Sequence, residues 1–125
     1  MMIVLIILGI FFSHIGGLSK AIRDTVSHHF EESIFSKLNP KFWNPLISGN
    51  NKWKNGDKNQ GEKFTQSSNL LVGITESWHS SETINVFFLI AGVCLLTMSL
   101  GILGAVLARV MYGFTFTLAY KEFKI

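Results

Sequence analysis

Residues 84–108 read INVFFLIAGVCLLTMSLGILGAVLA, 25 positions without a charged side chain. At about 1.5 Å per helical residue such a run reaches roughly 37 Å, more than a hydrocarbon core of about 30 Å. The spacing predicts a transmembrane helix with some tilt. Gly101-Ile102-Leu103-Gly104-Ala105 within it offers small residues for close helix contact. A second apolar block, 1–15, is interrupted only by Gly9, Ser13 and His14 and extends through Gly16-Gly17 to Ile22. Counted that far it is just long enough to span. Lacking a positive charge ahead of its apolar run, it reads as a retained anchor and not as a removed signal peptide.

The fold class expected is all-α: an integral membrane protein with two transmembrane helices, an interfacial amphipathic helix and a mostly irregular loop rich in aromatics and lysine. The first span covers 1–22. Ile22, Val26, Phe30, Ile34 and Leu38 recur every four residues, which predicts that 23–38 is an amphipathic extension of the same helix. Turn-forming pairs crowd 39–66, at Asn39-Pro40, Asn44-Pro45 and Asn55-Gly56, and leave an irregular interfacial loop. A short helix is expected over 67–80, with Leu70, Leu71, Ile74 and Trp78 on one face, followed by the second span at 82–108. The remainder, 109–125, reads as an interfacial tail of aromatic and basic residues. A third crossing from about Ala105 to Tyr120 is the alternative, and it places Arg109 at depth, where a charge is costly unless paired.

Composition narrows the function. The net charge of +3 comes from 11 Lys and Arg against 8 Asp and Glu, without the concentrated basic patch that nucleic acid requires. Lysines beside Phe42, Trp43, Trp53 and Phe64 instead suit a headgroup layer, so the lipid bilayer is the expected partner. Helix faces carrying glycine predict contact with a second copy or another membrane protein. Localisation in a membrane follows, as a multi-pass protein of the bacterial inner membrane. The single Cys94 allows no intrachain disulfide. No nucleophile elbow, phosphate loop or nicotinamide fingerprint is present.

One constellation carries chemistry. Asp24 and His28 are four residues apart, and Glu76 and His79 three, so each pair projects from one face of a helix. Imidazole with carboxylate suits zinc, iron or manganese, and Asp24, His28, His29, Glu76 and His79 are the candidate metal ligands. Glu31 or Glu32 is then the candidate catalytic base of a membrane-surface hydrolase. The hydrolase is the alternative; the first reading makes all seven hydrated residues of interfacial helices in a structural or interaction component of a membrane assembly.

Four stretches, His29-Phe30-Glu31-Glu32-Ser33-Ile34-Phe35, Asn39-Pro40-Lys41-Phe42-Trp43-Asn44-Pro45, Asn51-Lys52-Trp53-Lys54-Asn55-Gly56-Asp57 and Thr75-Glu76-Ser77-Trp78-His79, resemble a family of small bacterial membrane proteins. That family carries Thr-Asp-x-x-His at the last motif, so Glu76 is a departure that keeps an acid. The resemblance implies no reaction, but it directs attention to Asp24, His29, Glu76 and His79.

Overall fold

The computed structural model describes residues 1–125, all of the chain. Its long helices are α1 (Met2–His28), α4 (Ser77–Leu100) and α5 (Ile102–Glu122), and two single-turn helices, α2 (Pro40–Trp43) and α3 (Pro45–Ser48), lie in the loop. Three helices, where two spans were expected, are long and apolar enough to cross a membrane, and this fits a membrane protein. The extra one arises at Gly101. Its φ of +61° lies in the left-handed region, and its N–H donates to Thr97 O at 2.8 Å, closing α4 with a glycine cap. The uncharged run therefore contains a helix end, and α5 continues to Glu122 where a tail was expected.

The chain forms two compact units, one of Met1–Ile22 with Ile84–Lys121, the other of Arg23–Thr83 with Glu122–Ile125. In the first, the helical unit, small residues let backbones approach. A side chain at Gly9 would come within 2.6 Å of Leu96 Cγ, and one at Gly92 within 2.6 Å of Ser13 Oγ. At Gly104 it would run into the Leu96 backbone, and at Gly17 into that of Tyr112. The seam formed this way buries Leu96, Ala108 and Ser13 completely. Ser13 Oγ is satisfied within its own helix by donating to Gly9 O at 2.8 Å. Polar contacts cross between helices: Tyr112 Oη donates to Asn85 Oδ1 at 2.8 Å, and His14 Nδ1 is hydrogen-bonded to Thr115 Oγ1.

The second, the loop unit, is built from caps and aromatic stacking. Asn39 and Asn44 each cap a proline-initiated turn, accepting from Lys41 N at 3.0 Å and Leu46 N at 2.9 Å. Phe35 is buried between Trp43, stacked at 4.8 Å, and Phe123, edge-on at 5.0 Å. The helix expected through Leu38 stops at His28. Beyond it, Ser33 and Ser36 hydroxyls return to the carbonyls of Phe30 and Ser33, each at 2.7 Å, and compete with helical pairing. Ile34 N donates to Phe123 O at 3.1 Å and Glu32 O accepts from Ile125 N at 2.7 Å, each in place of a partner one helical turn away. Residues 67–76 form turns with a 3₁₀ segment, Val72–Ile74, and α4 begins at Ser77, so no separate helix occupies 67–80.

Candidate functional site

The last turns of α1 and the first turns of α4 supply the charged cluster of the loop unit. Trp78 and Glu82 stand four residues apart on α4, and the Arg23 guanidinium lies 6.0 Å from the Trp78 ring centre. Arg23 donates to Asp24 Oδ1 from both Nε, at 3.0 Å, and Nη2, at 2.8 Å, while its Nη1 pairs with Glu82. An arginine between two acids neutralises part of the charge that a metal would otherwise be asked to balance.

Glu76 sits just before α4 and is only 7% exposed. A buried carboxylate needs partners, and His79 Nδ1, one turn along, pairs with its Oε1. Its Oε2 faces Gly49, and the 49–51 segment is tied to this place by Asn51 Nδ2 donating to Thr75 O at 2.7 Å. The His79 side chain remains 41% exposed. A carboxylate thus orients an imidazole whose remaining surface is open, the arrangement that serves a general base or a metal ligand.

The other expected residues lie apart from this pair. His28 ends α1 and is exposed, His29 is half-buried, and Glu31 and Glu32 are exposed in the following turn. These four line a shallow groove of about 270 Å³ together with Phe30 and Leu46. Asp24 is engaged by Arg23. The structure therefore places the seven residues in three settings and brings no three His, Cys, Asp or Glu side chains into a group able to hold a metal ion. Arg23 and Glu82, the centre of the cluster, were not among the expected site residues. The sequence signals were modest: Arg23 adjoins Asp24, and Glu82 follows Trp78 by one helical turn.

A charge of a different kind lies in the helical unit. Arg109 is exposed on α5, its guanidinium 5.5 Å from the Tyr112 ring centre, with Nη1 beside Gly113. No acid of this chain pairs with it. Around it Val106, Val110 and Phe114 present apolar surface outward. No family model, curated protein or solved structure matches this chain, so the site is read from its own geometry.

Proposed function

We propose that this chain is a multi-pass protein of the bacterial inner membrane that works as a structural or interaction component of a membrane assembly. Arg109 carries this reading. It lies seven residues into α5, about 10 Å along the helix from Ile102 at 1.5 Å per residue. An arginine at a helix centre costs roughly 2.5–3.5 kcal/mol on insertion scales, and less toward the interface or where it snorkels. Here the guanidinium leans over Tyr112 and Gly113, toward the middle of α5 and away from its nearer end. A partner's carboxylate would offset that cost. Residues 1–22 and 84–121 contain no acid, so a second copy of the same spans offers none, and another membrane protein is the better fit. Of the glycines first expected to meet a partner, Gly92 and Gly104 are occupied by packing within the chain, and the outer face of α5 is the better candidate for the contact.

The test is native mass measurement after extraction in mild detergent, for the parent chain and Arg109→Leu. The expected result is a stoichiometric complex with another protein that is lost in the variant. A strict monomer in both would defeat the reading.

The Glu76–His79 pair favours a second reading, a metal-dependent hydrolase at the membrane surface. In it Asp24, His28, His29, Glu76 and His79 hold zinc, iron or manganese, and Glu31 or Glu32 is the base. Bringing these residues together would require rearrangement of the loop unit. Elemental analysis after incubation with each metal tests it, and a preparation that retains none retires it.

A further inference from the structure

Between Lys37 and Lys63 the chain carries six lysines, at 37, 41, 52, 54, 58 and 63, against two acids, Asp57 and Glu62. None of these lysines lies within ion-pair distance of a carboxylate. Both local acids are taken up by neutral donors instead. Asp57 Oδ1 accepts from Asn59 N at 2.9 Å, and its Oδ2 from Gln60 Nε2 at 3.3 Å. Glu62 accepts from the Ser68 hydroxyl, from Ser68 N at 3.1 Å and from Gln66 N at 3.0 Å. The Ser68 hydroxyl and amide hold the Glu62 carboxyl below the usual range, so it stays an anion without a lysine partner. Positive charge in this segment is therefore left free by construction.

Part of that charge converges on a groove of about 520 Å³, within the range of small-molecule sites. Its walls include Lys41, Lys63, Asn50, Asn51, Asn55 and Trp53, and no acid lines it. Lys63 Nζ is positioned by Asn51 Oδ1 at 2.8 Å, and Asn51 is itself anchored to Thr75 O. Trp53 forms an aromatic wall whose ring has Lys52 and Lys58 nearby, at 5.9 and 6.0 Å. Ammonium groups suit a phosphate as point charges, and asparagine amides both donate to and accept from hydroxyls.

We infer that this groove binds a phosphate ester carried on a hydroxyl-rich group of the size of glycerol or inositol, with Lys41 and Lys63 on the phosphate and the asparagines on the hydroxyls. The chemistry is shared by a phospholipid headgroup and by a free sugar or polyol phosphate. It is distinct from a diffuse attraction of lysines to an anionic surface, which any lysine of the loop supplies. It does not depend on the role of Arg109.

The experiment uses the full chain in phosphatidylcholine nanodiscs and reads tryptophan emission, with Trp53→Phe as the silent reference. Glycerol 3-phosphate and inositol 1-phosphate are titrated from solution, and phosphatidylglycerol and phosphatidylinositol are introduced into the bilayer in parallel. Saturation by the soluble esters identifies a free solute as sufficient, whereas a saturable response to the lipids alone identifies a headgroup. In either arm Lys41→Gln with Lys63→Gln raises Kd about tenfold or more, as expected for losing two charge-assisted contacts. Lys41→Gln alone, which leaves the Lys63–Asn51 bond intact, gives a smaller rise in the same direction. Lys37→Gln with Lys54→Gln removes equal charge away from the groove and changes Kd less than about threefold, because its effect is only screened long-range attraction. Equal weakening by the two double variants, or no saturable response to any of the four probes, overturns the inference.

Discussion

The helical unit and the loop unit solve the same problem, a small chain with little apolar core, by opposite means. The helical unit removes side chains: Gly9, Gly17, Gly92 and Gly104 bring backbones to within contact, and dispersion over the whole seam replaces large buried residues. The loop unit adds specific bonds: asparagine caps, serine hydroxyls returned to carbonyls, and Phe35 held between Trp43 and Phe123. Each choice suits its solvent. In lipid there is little hydrophobic drive to bring helices together, so close approach must supply the attraction. In water the irregular backbone of residues 39–66 must find partners for its own polar groups.

The comparison breaks most sharply at Gly104. Gly104→Val places side-chain atoms in the Leu96 backbone, which cannot rotate away, and should cost about 3 kcal/mol, the upper end of overpacking effects. Loss of monodisperse protein on size exclusion in detergent is the expected outcome, and full retention would show that α4 and α5 are not in contact there. Phe35→Ala is the counterpart in the loop unit, expected to cost about 3 kcal/mol as a buried aromatic truncation. Its signature is different: rapid proteolysis within residues 29–76, with helical circular dichroism largely kept.

Tyr112→Phe tests a smaller term, the bond from Tyr112 Oη to the buried Asn85 side chain. About 1 kcal/mol is expected, measured as resistance to denaturing detergent. No change would mean that packing alone orders that helix pair.

The smallest effect is a pH dependence confined to the loop unit. The folded carboxyl of Glu62 is depressed by the Ser68 hydroxyl and amide, so the unfolded state takes up the proton first. Its contribution is present above the ordinary carboxylate pKa and is lost as pH falls through the lower folded value. Loop stability followed from about pH 6 to about pH 3 should therefore decline less in Glu62→Gln than in the parent chain. Parallel curves would show that the Ser68 contacts contribute nothing in solution.

Much of this architecture was readable from residues alone because the governing interactions are local. One uncharged block exceeds the length of a bilayer crossing and a second, counted to Ile22, just reaches it, while Asn39-Pro40 and Asn44-Pro45 mark the turns at which the structure places its two single-turn helices. The Glu76–His79 pair follows from a spacing of three residues, which one helical turn closes. What needed the tertiary structure was every choice made by contact between distant segments. Composition does not mark Gly101 as the end of α4, since a glycine inside an apolar helix and a glycine ending one look alike until the following helix packs back against Leu96. The four-residue stripe through Phe30, Ile34 and Leu38 is a sound helix pattern, but Glu32 and Ile34 find backbone partners in Ile125 and Phe123, about ninety residues away, and the helix gives way. Asp24 offered itself as a ligand because its charge is visible in the sequence, while the arginine that occupies it reaches a second acid, Glu82, only when α1 and α4 meet in the loop unit. Local spacing determines which side chains share a face; the folded chain alone decides what that face meets.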